Sequence, residues 1–173
     1  MSDIRTAVAA DADRVAAVFG GYVLQSIATF VETPPDADDW RERIAESART
    51  PGRPFLVAEV DGTVVGFARA ATYRAYAAYR YTVEDSIYIA PEAAGRGLGG
   101  GLIRALVDAL TGTEVRQVVA VIAVVAGTRH DTPSIVLHRR AGFSEVGRLP
   151  AVGYKNGQWA DTVFMQRDLR PEG

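Results

Sequence analysis

Apolar residues recur along this chain at two spacings, one helical and one extended, and glycine or proline marks most junctions. In "DADRVAAVFGGYVLQ" (11–25), Val15, Val18, Phe19 and Tyr22 fall at i, i+3, i+4 and i+7. That pattern predicts an amphipathic helix opening at an acidic cap. "IRTAV" (4–8) before it reads as a short strand. Pro34 and Pro35 break the chain, and Asp36 to Ala48 resumes as a helix with Trp40 and Ile44 on one face. "PFLVAEV" and "TVVGFARAA" read as strands around Asp61-Gly62, a dipeptide suited to a tight hairpin. "VEDSIYIA" (83–90) is a further strand. Helix 99–111 follows, with Leu102, Ile103, Leu106, Val107 and Leu110 on its apolar side. "QVVAVIAVV" (117–125) is nearly continuous in β-branched residues, as expected of a strand buried on both faces. "PSIVLHRRA" is a short helix with Pro133 in its first turn, and the remaining chain is a hairpin turning at Asn156-Gly157. The order is βααβββαβαββ, a mixed α/β domain.

Composition narrows the function. At 173 residues the chain is read as one domain, 1–173, large enough for a proper core. A formal net charge of −2 gives no general attraction to nucleic acid or anionic membrane. No cysteine is present, which removes disulfides, thiolate metal sites and a covalent thioester on the protein. With only two histidines, no metal site is expected. The opening "MSDIRTAVAADADR" carries acids where a signal peptide needs a basic segment and an apolar run, and no apolar stretch reaches spanning length, so a cytoplasmic protein is expected.

The chemistry is concentrated in "APEAAGRGLGGGLIRAL" (90–106). Five glycines occupy seven positions between a strand and a helix. Such a turn presents backbone N–H groups at the positive end of a helix dipole and is suited to phosphate. A mononucleotide P-loop is rejected, because Gly100-Gly101-Leu102 stands where Lys-Ser/Thr is required. Gly95 to Gly100 match the dinucleotide pattern G-x-G-x-x-G, but strand 117–125 ends in "VVAGT" with no acid for a ribose hydroxyl. A purely structural turn needs fewer glycines, since each costs stability. The third ligand is a pyrophosphate on a pantetheine carrier.

The run "SIYIAPEAAGRGLGGGLIRALV" closely resembles the fourth strand, loop and third helix of the GNAT superfamily of acyl-CoA-dependent N-acyltransferases. "LVAEVDGTVVGFARA" resembles its central hairpin, "VVAVI" its fifth strand, and "PSIVLHRRAGF" its fourth helix and following turn. Within the superfamily, "YRAYAAYRYTVEDSIYI", "ATFVETPP" and "GYKNGQWADTVFMQRDL" are similar to the phosphinothricin and methionine sulfoximine N-acetyltransferases. The resemblance implies a mostly antiparallel sheet, splayed between its fourth and fifth strands and flanked by helices. It implies acetyl-CoA as co-substrate, a small-molecule amine as acceptor, and a homodimer.

Residue by residue, the resemblance puts the pyrophosphate on the backbone amides of Gly95, Arg96, Gly97, Leu98, Gly99 and Gly100. It puts the pantetheine beside Ile87, Tyr88 and Ile89, with Asp131 and Ser134 near the same ligand. Without a thiol on the protein, direct transfer in a ternary complex is expected, and a protonated amine then needs a base. Glu84 matches the family's glutamate in that role. A regular strand turns Asp85 to the opposite face, away from this task. His138 falls where many members carry a tyrosine that can protonate the leaving thiolate; its other reading is a packed helix histidine. Arg74, Tyr76, Tyr79 and Arg80 precede the base on an expected acceptor mouth, where an Arg can grip a carboxylate or phosphinate bidentately. Asp85 and Ser86 complete the expected substrate set. Three departures bear on the acceptor: Ala94 at an often polar position, Asp131 where the family has Asn, and a long "VVAGTRHDTP" loop. A non-catalytic acyl-CoA-binding domain and a peptide or protein N-acetyltransferase remain the alternatives.

Overall fold

The computed structural model describes residues 2–170 of the chain. Seven strands form one sheet: β1 (Ser2–Thr6), β2 (Phe55–Val60), β3 (Thr63–Thr72), β4 (Thr82–Ile89), β5 (Gln117–Val125), β6 (Ser144–Lys155) and β7 (Gln158–Asp168). Four α-helices accompany them in the described residues: α1 (Ala12–Gln25), α2 (Ala37–Arg49), α3 (Leu98–Leu110) and α4 (Pro133–Arg140). Their order along the chain is the one the periodicity predicts. The strands lie in the order β1-β2-β3-β4-β5-β7-β6. Only β4 and β5 run parallel, as the central α3 crossover requires.

Local chemistry explains the junctions. Asp61 and Asn156 have φ of 49° and 50°, and Gly62 and Gly157 follow at 78° and 77°. Two consecutive left-handed residues make the tight turn whose twist matches its strands. Asp36 caps α2 by accepting from Asp38 N (2.8 Å) and Asp39 N (2.9 Å), while the Asp39 carboxylate accepts from Asp36 N (3.0 Å). The acidic cap expected at Asp11 is corrected. Its carboxylate turns back to Val8 N (2.8 Å) and to both terminal nitrogens of Arg5 (2.8 and 2.9 Å), tying β1 to the turn before α1. The first strand accordingly ends at Thr6 rather than Val8.

The core on the α1/α2 side is aromatic. Trp40, 2% exposed, lies 5.2 Å from Phe19, 5.2 Å from Phe67 and 6.0 Å from Phe55 between ring centroids. Truncating such a residue to Ala costs about 3–5 kcal/mol. On the other face α3 lies so close to β1 that a Cβ at Gly101 would come within 2.8 Å of Ile4 Cδ1.

The reading of β5 as buried on both faces is also corrected. Val118 and Ala120 are buried, but Val121 is 38% and Val125 45% exposed. The cause is the pairing. β4 and β5 are joined only from Thr82↔Gln117 to Asp85↔Ala120. Beyond that point β4 stays with β3 to Gly66↔Ile89, and β5 stays with β7 to Val125↔Ala160. The sheet therefore opens between its fourth and fifth strands.

Candidate active site

The opening is a cleft of about 750 Å³. One wall is β4 from Glu84 to Ile89, the other is β5 from Ala120 to Ala123 together with α4. The glycine loop closes one end. Gly95 and Gly97 have φ of 77° and 78°, where a side chain is strained. Gly97 is the N-cap residue of α3 and supplies no side-chain cap, so the first N–H groups of the helix are left for another acceptor. The glycines differ in purpose. A Cβ at Gly99 would come 3.4 Å from Leu137, so this glycine fits α3 against α4, whereas a Cβ at Gly100 meets open space.

Of the residues expected to hold the co-substrate, Ile87, Tyr88, Ile89, Gly95, Gly97, Leu98, Gly99, Gly100 and Ser134 line the cleft. Arg96 and Asp131 are exposed and do not. Asp131 pairs with Arg139 on the following helix, so the formal charge expected near the pantetheine is compensated on the surface. From Ser86 onward β4 has no strand on its β5 side. The Ile89 carbonyl already accepts from the Tyr22 hydroxyl at 2.7 Å.

Glu84 stands at the inner end of the cleft. Burial pushes its carboxyl above the ordinary range, and the charge of Asp85 adds to the shift, with Arg74 and Arg69 partly opposing it. An acid so raised is better suited to exchange protons near neutral pH. Arg69 went unnoticed in the sequence. In the β3–β4 register it is opposite Ser86, and Ala71 is opposite Glu84, so Arg69 shares the Glu84 face. It makes no hydrogen bond or ion pair among the described residues, and its guanidinium lies 5.7 Å from the Trp40 ring. Arg74 is exposed and stacks at 4.9 Å on Tyr73, which meets Tyr79 at 5.5 Å. Tyr76 is 78% and Tyr79 42% exposed. All three sit on the loop leading into β4, outside the cleft lining, as does Arg80.

Asp85 and His138 meet across the fold. His138 Nε2 is 2.9 Å from Asp85 Oδ2 and its Nδ1 is 2.7 Å from the Ser134 carbonyl oxygen. The His138 side chain is 5% and the Asp85 side chain 1% exposed. The alternation in β4 does carry Asp85 to the face opposite Glu84, where α4 receives it.

One wall comes from the segment "ATFVETPP", which carries the resemblance but no expected site residue. Ala28, Thr29 and Phe30 line the cleft from the α1–α2 connection. Lys155, 4% exposed, donates to the Thr29 carbonyl at 2.7 Å, and a Cβ at Gly153 would fall 2.4 Å from the Phe30 ring. The Tyr88 phenol is pushed up to about 12 by burial and stays neutral.

Residues 22–143 match the family model described as the acetyltransferase (GNAT) family. The chain belongs to the GNAT acetyltransferases. It is 42% identical over 159 residues to the phosphinothricin N-acetyltransferase of Alcaligenes faecalis, covering 92% of this chain and 78% of that protein. It is 36% identical over 171 residues to the L-methionine sulfoximine/L-methionine sulfone acetyltransferase of Pseudomonas paraeruginosa, covering 98% and 96%. A crystal structure of a GNAT phosphinothricin acetyltransferase from Sinorhizobium meliloti in complex with AcCoA superposes with a TM-score of 0.88 at 42% identity, covering 97% and 88%. The mixed sheet with its single parallel pair is thus the GNAT fold, and the protein is an acetyltransferase. No described helix is long and apolar enough to cross a membrane. Among the described residues no group of three or more His, Asp or Glu is placed to hold a metal.

Proposed function

We propose that this GNAT enzyme transfers the acetyl group of acetyl-CoA to the α-amine of a small amino acid or analogue, of the phosphinothricin, methionine sulfoximine or methionine sulfone type. Transfer is direct, in a ternary complex, with Glu84 as general base. One observation carries this reading: Glu84, the one carboxyl among the described residues whose pKa is raised overall, stands beside the point where β4 loses its partner strand, in the same cleft as an uncapped helix N-terminus.

The cleft suits the co-substrate chemically. Free N–H groups at Leu98, Gly99 and Gly100 would hold its pyrophosphate, and the unpaired β4 edge at 86–89 would accept an extended arm carrying amides. At the inner end the amine nitrogen bonds to the acyl carbon, the C–S bond breaks with its electrons on sulfur, and Glu84 takes the proton the nitrogen loses. Arg74, together with Arg69, supports an anionic acceptor, since a guanidinium without an anion is a site for a substrate carboxylate or phosphinate. A second copy of the chain is part of the reading. Val146, Leu149, Val152, Tyr154 and Trp159 expose 48–59% of their surface on the β6–β7 hairpin, and sedimentation equilibrium would show a dimer.

An amino-acid panel scored by CoA release tests the assignment. Methionine sulfone, methionine sulfoximine and phosphinothricin should be turned over, and their esters poorly. Acetyl-CoA binding without release on any acceptor would mark a binding domain, and preference for peptide N-termini would mark a protein acetyltransferase.

A further inference from the structure

The Asp85–His138 contact defines a protonation state. The Ser134 carbonyl can only accept, so His138 Nδ1 carries a proton directed into its own helix. One further proton lies between Nε2 and Asp85 Oδ2, and ordinary basicities, about 6.5 for imidazole against about 3.9 for the carboxyl, put it on the ring. Asp85 Oδ1 is sealed from solvent and has no hydrogen-bond partner, so the imidazolium is what compensates this carboxylate. Two further neighbours of the ring carry no charge, the Ser134 hydroxyl at 3.4 Å and the edge-on Phe143 ring at 5.1 Å. Glu84 leaves β4 on the opposite face.

We propose that Asp85 is a positioning residue which, with the Ser134 carbonyl, holds His138 as a buried imidazolium in the cleft wall, a fixed positive charge for the leaving thiolate rather than a donor or acceptor of protons. This rests on the acetyl-transfer reading above. Both ring protons are committed, so His138 can give one up only by releasing α4 or β4. The charge that develops on sulfur as the C–S bond breaks meets the cationic ring of an ion pair already in place, its field partly offset by Asp85, in a wall where little water screens it. Burial opposes the cation, but the hydrogen bond and charge of Asp85 outweigh it and the net direction is upward.

The chain has only two histidines, so the ring signals are few and the test is direct. Nitrogen NMR of the histidine rings would be followed from pH 5 to 10 without acetyl-CoA. His138 should stay doubly protonated above the ordinary imidazole range, and Asp85→Asn should bring its titration down below the wild-type value. A neutral His138 ring at pH 7 in the wild type overturns the proposal, whether or not the variant folds. So does an Asp85→Asn variant whose His138 titration is unmoved. In kinetics, the alkaline fall of kcat/KM should move down in Asp85→Asn by the same shift seen by NMR, with acetyl-CoA Kd within two-fold. An unmoved limb refutes the role for Asp85. Absence of CoA release on every acceptor would refute the acetyl-transfer reading instead, and the NMR result would stand apart from it.

Discussion

Glu84 and Asp85 are adjacent in β4 and leave it on opposite faces, Glu84 beside Arg69 under the α1/α2 layer and Asp85 against His138 of α4. Two carboxyls one residue apart thus acquire different partners. Among the described residues Glu84 has no ion pair, and its pKa is raised; Asp85 is held by a ring 53 residues away.

Glu84→Gln should lower kcat by roughly 10²–10⁴-fold at neutral pH, the usual worth of a general base, with acetyl-CoA Kd unchanged. The same variant should be more stable than the wild type at pH 7. A carboxyl whose folded pKa is raised opposes folding once it ionises, a cost absent below its unfolded pKa and complete above the folded one. Thermal melts at pH 4 and 7 would show the Tm gain only at the higher pH. A Tm gain equal at both would remove burial of the ionised Glu84 as its cause.

The glycines should separate binding from stability. Gly100→Val faces open space in the cleft and should fold normally while losing acetyl-CoA affinity by calorimetry. Gly101→Val drives a side chain into Ile4 and should lose about 1–3 kcal/mol of stability in urea. Wild-type acetyl-CoA affinity in Gly100→Val would contradict a pyrophosphate seat on this turn.

The two arginines near Glu84 should act on the acceptor. Arg74→Ala and Arg69→Met should each raise acceptor KM and leave acetyl-CoA KM within two-fold, and the effect should shrink for esterified acceptors. Equal effects on acid and ester would make the arginine concerned structural.

The strap between hairpin and cleft should be visible as coupling. Gly153→Ala forces Phe30 to move, since its added carbon would lie 2.4 Å from the ring. It should lower stability by about 1–3 kcal/mol and weaken acetyl-CoA binding through the Phe30 wall. Adding Phe30→Ala should recover part of the stability loss in a double-mutant cycle. Strictly additive losses would mean the two residues are not coupled.

His138 should leave its mark on folding as well. Its raised pKa stabilises the native state fully below the unfolded value near 6.5 and loses that contribution as pH rises through the folded value. His138→Gln should flatten this alkaline decline in urea melts between pH 6 and 10. A decline that persists unchanged in the variant would assign it to other groups.

What the sequence by itself determined is what neighbours along the chain decide. Helical spacing placed all four helices within a residue or two, Asp61-Gly62 and Asn156-Gly157 placed the hairpins, and the glycine run placed the anion-binding turn, because capping, positive φ and side-chain period are local properties. The tertiary structure decided the rest. The uniform apolar run of β5 is buried on both faces only beside Thr82–Asp85, because where β4 departs nothing remains to cover Val121. Arg69 became a neighbour of Glu84 through strand register, and Thr29 became a cleft wall through a lysine 126 residues away. Whether His138 carries a charge was likewise beyond reach, since an isolated imidazole takes its state from the solvent. A buried one takes it from the carboxylate and carbonyl that the fold sets against its two nitrogens.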